Sequence, residues 1–135
     1  MALDLEDIAN LLAGNSAPIP IGRIVNQARS HLSQKTSVVL LSTDSTRHIL
    51  TEHGDHMEPS TLLILPDALR IGLWIADRGN SCRISFEEKS TGVRYLAAIK
   101  ATQNRRELYL TTFHRAQKKQ TKAVLKRGKI LRNHL

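Results

Sequence analysis

Apolar residues recur at helical spacing along the first half of the chain and at strand spacing beyond residue 70. Leu3, Leu5, Ile8, Leu11 and Leu12 lie largely three or four apart, with acids early and Gly14 behind them, which predicts a short amphipathic helix. Gly14, Pro18 and Pro20 break both regular periods, so 14–20 reads as a loop. Ile21, Ile24, Val25, Ala28 and Leu32 resume the helical stripe and predict a second helix from Ile21 to Leu32. Residues 1–36 thus read as an N-terminal helical accessory segment.

Ser37-Val38-Val39-Leu40-Leu41-Ser42 is a β-branched run of strand length or an extended lead-in. The polar cluster Ser42 to Ser45 then offers N-caps for a helix through Arg47, His48, Ile49, Leu50 and Glu52 that stops near Gly54. Pro59 suits a helix start, and Pro66 divides the following apolar stretch into two short helical pieces.

Past residue 70 the runs 72–76, 82–87, 93–102 and 107–114 have strand length and are separated by turn clusters at 77–81, 89–92 and 103–106. Such short connections predict a four-stranded antiparallel β-meander. The remaining residues carry a thin apolar stripe of Ala116, Ala123, Val124, Ile130 and Leu131, which predicts a C-terminal helix. The fold class expected is α+β: N-terminal helices, a four-stranded antiparallel meander, and a basic C-terminal helix. At 135 residues the chain suits one core, and 37–135 reads as the main domain, tail included.

Charge changes the picture. The formal net charge is +8, from 20 Lys and Arg against 12 Asp and Glu. Eight of the cations and none of the acids lie between Phe113 and Leu135, so the whole excess sits in the tail. A block of one sign repels itself, and a polyanionic partner relieves that repulsion. Nucleic acid is the leading candidate, bound through phosphates without regard to sequence. Aromatic platforms for base stacking are few: Trp74, Phe86, Tyr95, Tyr109 and Phe113.

Other classes are set aside. No window approaches the roughly 18 apolar residues of a membrane-spanning helix, and the acidic start Met1 to Asp7 is unlike a secretory signal, so no membrane association is expected. Cys82 is the single cysteine, so the chain makes no internal disulfide. The seven glycines lie too far apart for a phosphate-cradling loop.

Residues suited to chemistry concentrate in Arg47-His48-Ile49-Leu50-Thr51-Glu52-His53-Gly54-Asp55-His56. His48 and His53 are five apart, about 140° around a helix, which does not suit a shared metal ion, so no metal site is expected. Acid–base work suits imidazole better, since its pKa lies near 6.5. On the strands, alternation puts Arg94, Leu96, Ala98, Lys100 and Thr102 on one face. The same rule groups Leu108, Leu110, Thr112 and His114, with Tyr109, Thr111 and Phe113 opposite. Lys100 is a strand-end lysine reaching water or a cation held for a phosphate.

The strand 37–42, the segment Arg47-His48-Ile49-Leu50-Thr51-Glu52-His53, and four strands ending in Leu108-Tyr109-Leu110-Thr111-Thr112-Phe113-His114-Arg115 together resemble the barnase/EndoU/colicin/RelE-like (BECR) nuclease superfamily, closest to its phage, prophage and mobile-element branches. The resemblance covers roughly residues 37–115. It implies a toxin-type or effector endoribonuclease that needs neither metal nor cofactor and cleaves RNA by 2′-hydroxyl attack, leaving a 2′,3′-cyclic phosphate. Such cleavage needs a base, an acid and donors for the non-bridging oxygens.

By the resemblance, His48 corresponds to the family's helix histidine and Thr112 to its last-strand hydroxyl, with Lys100 as oxyanion-stabilising cation. His114 and His53 compete for the second proton role. Arg115 clamps phosphate, and Arg94, Lys118, Lys119, Lys122 and Lys126 join it in holding the RNA backbone. The family also implies an acidic immunity protein or antitoxin as partner, and action in the cytoplasm of the producing cell or of a target cell. Two other readings remain open: a non-catalytic nucleic-acid-binding or virion-associated module, and an ADP-ribosyltransferase effector.

Overall fold

In the computed structural model, which describes residues 3–52, 57–78, 81–102 and 106–132, the first helix is set by its own ends. The Asp4 carboxylate accepts from the Asp7 backbone N–H at 2.8 Å, and the Asp7 carboxylate accepts from the Asp4 N–H at 3.1 Å. This reciprocal cap starts helix α1 (Leu5–Ala13), which ends at Gly14 and buries Ile8 and Leu11.

The predicted helix over 21–32 is corrected. Ile19–Arg23 forms strand β1, and only Asn26–Leu32 is helical, as α2. Pro20 biases Ile19 towards extended backbone, and pairing with β2 (Val38–Leu41) then captures the segment. Ile21, Ile24, Val25, Ala28 and Leu32 are all buried nevertheless, from a strand, a link and a helix in turn. Together with Ile8 and Leu11 they join one hydrophobic cluster with Trp74, Phe86, Leu110 and Phe113, so residues before 37 build the same core as those after it.

Helix α3 (Thr43–Glu52) begins where Ser42 accepts at its Oγ from the Ser45 N–H and at its carbonyl from the Thr46 N–H. The two helical pieces around Pro66 are present, as a 3-10 helix (Pro59–Ile64) and helix α4 (Leu65–Ile71). Strands β3 (Leu73–Ala76), β4 (Ser81–Glu88), β5 (Val93–Ala101) and β6 (Leu108–Arg115) form the expected antiparallel meander. The expected helix end near Gly54, His53 itself, and parts of the turns at 79–80 and 103–105 lie outside the described residues.

The meander is the middle of a larger sheet. The described residues form seven strands in the order β1-β2-β6-β5-β4-β3-β7. All neighbours are antiparallel except β2 and β6, whose Val39–Leu108 and Leu40–Tyr109 pairs run parallel. The protein is thus mixed α+β, with the four-stranded expectation extended at both edges. The tail is corrected too: after helix α5 (Lys118–Arg127), residues Lys129–Arg132 form β7 and pair with β3. Gly128 permits that return, because a Cβ there would stand 2.4 Å from Ile75 Cγ2 and 2.5 Å from the Ala76 carbonyl oxygen.

The sheet has two covered faces. One carries Trp74, Ile84, Phe86, Ile99, Leu108, Leu110 and Phe113 against helices α1 to α4, with the Trp74 indole N–H donating to the buried Leu69 carbonyl. The other carries Ile75 and Leu96 against Val124 of α5. No helix among the described residues is long and apolar enough to cross a membrane.

Strict alternation on β6 fails at one residue. Ala98 pairs with Thr112 and Ile99 with Leu110, which leaves Thr111 as an extra residue, a β-bulge. Leu108, Leu110 and Phe113 consequently all enter the main core at 0% exposure, while Tyr109, Thr112 and His114 fall to the opposite face.

Candidate nucleic-acid interface

Helix α5 has an apolar side only wide enough to dock. Thr121 and Val124 are buried and Leu125 is half-buried; the sequence Lys118 to Arg127 contains no acid. At 100° per residue, Lys118, Lys122, Lys126 and Lys119 fall within an arc of about 100° on one flank and span about 12 Å of helix. All four are exposed.

The helix starts with the Gln120 side chain accepting from the Gln117 N–H at 2.8 Å. Its first turn then holds two lysines and no acid. Cations at the positive end of a helix dipole are unfavourable by some tenths of a kcal/mol each, and an anion beside them reverses the sign.

Arg127 leaves the helix on the other flank. It lies 3.7 Å from Asp77, whose carboxylate also accepts from Arg83 Nε at 2.9 Å and from the Arg78 backbone N–H at 2.9 Å. Burial alone would raise the Asp77 carboxyl, but these donors and the two guanidinium charges outweigh it and hold its pKa below the usual value. Arg83 and Arg127 are therefore engaged in fastening α5 to the β3–β4 turn.

The lysine flank runs into a cleft of about 410 Å³ lined by Thr91, Gly92, Val93, Arg94, Arg115, Ala116 and Lys118. Its floor is fixed by backbone: the Ala116 N–H donates to the Arg94 carbonyl at 2.9 Å, tying the start of α5 to β5. Its rim is the β4–β5 turn, where Gly92 at φ +73° takes the left-handed conformation and donates its N–H to the Glu88 carbonyl at 2.7 Å. Arg94 stands 4.0 Å from Glu87, a long and half-exposed pairing. The structure thus brings Arg94 and Lys118 to one cleft, from which Lys119, Lys122 and Lys126 continue along α5, whereas Arg115, which also lines the cleft, opposes Tyr95 on the main-core face.

Residues expected to do chemistry are divided. Thr112 opposes Ala98, His114 opposes Leu96, and Lys100 opposes Tyr109, so all four polar side chains share the face on which α5 lies. His114 Nδ1 is 2.9 Å from the Arg115 carbonyl, a contact that places a proton on that nitrogen. The Tyr109 hydroxyl donates to Glu107 at 2.9 Å, and burial, that hydrogen bond and the Glu107 charge all raise its pKa.

His48 is not brought to them. It is exposed on α3, whose Ile49 packs into the main core on the other face of the sheet. The expectation that His48, Lys100 and Thr112 surround one phosphate is therefore corrected: the helix following β2 crosses the face that accepts Ile49. His53 lies outside the described residues.

Two structural roles escaped the sequence reading. Arg47 donates from Nε and Nη2 to the Leu12 carbonyl at 3.0 and 2.8 Å, holding the end of α1 to α3. Asp77 holds α5. Both connect positions far apart in sequence, and neither has a local pattern that would reveal it.

Comparison with models of known families, with curated proteins and with solved structures finds no match.

Proposed function

We propose that this chain binds RNA along the cations Arg94, Lys118, Lys119, Lys122 and Lys126, with Arg115 at the far side of the same cleft. The observation that supports this reading is the docking of α5. Its few apolar residues face the sheet, and its lysines continue from the cleft that Arg94 and Lys118 line. Contacts of this kind hold the sugar-phosphate backbone and read no bases. The choice of RNA among polyanions rests on the resemblance to BECR nucleases. An acidic protein inhibitor would compete for the same cations, and an RNA target puts the action in a cytoplasm. A gel shift with unstructured RNA tests the reading: binding that weakens steeply with salt supports it, and absence of binding at low salt rejects it.

The grouping of Thr112, His114 and Lys100 on one face favours a second reading, cleavage of the bound strand. On β5 the strip from Arg94 to Lys100 runs about 20 Å, from the cationic cleft past His114 and Thr112. In the reaction the 2′-oxygen bonds to phosphorus as the bond to the 5′-oxygen breaks. The 2′-hydroxyl proton passes to a base, for which His114 is placed, and the departing 5′-oxygen takes a proton from water, leaving a cyclic phosphate and a 5′-hydroxyl. Thr112 and Lys100 face the non-bridging oxygens. End-group analysis of RNA incubated with the protein in chelator tests it: cyclic phosphate termini support cleavage, and intact RNA leaves binding alone.

A further inference from the structure

We infer that Tyr109 is a stacking platform for one base of the bound strand, on the half of the sheet face that α5 leaves open. The inference rests on the RNA-binding reading and deepens it, adding a contact to a base where the cations hold only phosphates. Helix α5 packs its apolar side on Ile75 of β3 and Leu96 of β5, and among the described residues no apolar side chain of β1, β2 or β6 joins that small core. On those three strands the same face carries Pro20, Leu40 and Tyr109. Leu40 lies there because Val39 and Leu41 are buried in the main core, and Tyr109 because Leu108 and Leu110 are. Register sets them in one row: Pro20 opposes Leu40, Leu40 pairs with Tyr109, and Tyr109 opposes Lys100 of β5.

Tyr109 stands apart from the other aromatic residues. The chain has five, and Trp74, Phe86, Tyr95 and Phe113 are buried in the main core, at most 8% exposed. Tyr95 and Phe113 stack on each other, with ring centroids 5.0 Å apart. Tyr109 is half-exposed instead, on the face that holds Lys100, Thr112 and His114. Its hydroxyl donates to Glu107 at 2.9 Å, which engages the tip of the ring and not its π-face. The Glu107 carboxylate also sorts the two halves of a nucleotide. It repels a phosphate from the phenol and tolerates a neutral base, while Lys100, about 5 Å away across the strand pair, attracts the phosphate. An aromatic ring beside a cation on an open sheet face suits a single strand, and every base has the π-face that stacking needs.

The test compares a short single-stranded RNA of mixed sequence with a ribose-phosphate strand of the same length that carries no bases, by fluorescence anisotropy with the full chain. The parent protein is expected to bind the RNA about tenfold more tightly than the baseless strand. Tyr109→Phe is expected to keep that preference and Tyr109→Leu to lose it. The slope of log affinity against log salt is expected to be the same in all three proteins, because stacking releases no counterions. Equal affinity of the parent protein for both strands overturns the inference and leaves the RNA-binding reading standing. A preference that survives in Tyr109→Leu does the same. No binding of either strand at low salt overturns both. Urea unfolding of Tyr109→Leu separates loss of the platform from loss of the fold, and the comparison of the two strands on the parent protein needs no variant at all.

Discussion

The hydroxyl of Thr111 donates to the carbonyl of Ala98 at 3.3 Å, at the point where β6 holds one residue more than β5. That single insertion decides which side chains of β6 meet the core and which meet the face beneath α5. Deleting Thr111 removes the bulge and leaves Leu108, Leu110 and Phe113 in strict alternation on one face, so the core set of β6 is kept. Phe113→Ala, which empties a buried phenylalanine site, is expected to lose about 3–5 kcal/mol, and the Thr111 deletion much less. Thr111→Val, which keeps the extra residue and removes one hydrogen bond, is expected to lose only about 1 kcal/mol. Urea unfolding of the three variants checks the ranking, and a deletion as damaging as Phe113→Ala overturns the assignment of Thr111 as the extra residue.

Five phosphate-neutralising cations, Arg94, Lys118, Lys119, Lys122 and Lys126, predict a slope of about −3.5 for log affinity against log salt on single-stranded RNA. Replacing Lys119, Lys122 and Lys126 together by alanine is expected to flatten the slope by about 2 while leaving the urea midpoint near that of the parent, since all three are exposed. An unchanged slope places the RNA elsewhere on the surface.

Asp77 predicts a pH dependence of definite sign. Its folded pKa lies below the ordinary value of 3.8. A carboxylate with a depressed pKa contributes stability that is fully present above the unfolded value and is lost as pH falls through the folded one. Unfolding measured from pH 7 downward should therefore show a loss below about pH 4 that Asp77→Asn removes. At neutral pH the same substitution weakens the hold on Arg83 and Arg127 and is expected to cost about 2 kcal/mol.

The helix that carries His48 covers one face of the sheet and His114 of β6 falls on the other, which separates two accounts of any cleavage. If cleavage proceeds on the face of Thr112, His114→Ala lowers the rate by about 100-fold or more and His48→Ala leaves it near that of the parent. The reverse ranking, measured as cyclic-phosphate formation, removes Thr112 and Lys100 from the site. Neither imidazole is buried, so both variants are expected to keep the fold.

Several elements were legible from local pattern. The Asp4 and Gly14 signals bracket α1, Pro66 marks the division between the 3-10 helix and α4, and the turn clusters separate β3 to β6 close to their observed ends. The candidate interface was legible as a run of cations, because charge needs no partner to be counted. Its shape was not: that Lys118 and Arg94 line one cleft depends on where α5 crosses the sheet.

The sequence by itself determined the alternation of residues 73–115, the caps of the helices and the placement of the whole charge excess after residue 112, since period, turn chemistry and charge are properties of neighbouring residues. Only the tertiary structure decided that Ile19–Arg23 and Lys129–Arg132 become edge strands, that β2 runs parallel to β6, that Thr111 is the extra residue, and that α3 carries His48 away from Thr112. Each of these is settled by which distant surfaces bury the most apolar area together, a competition that no short stretch of chain contains.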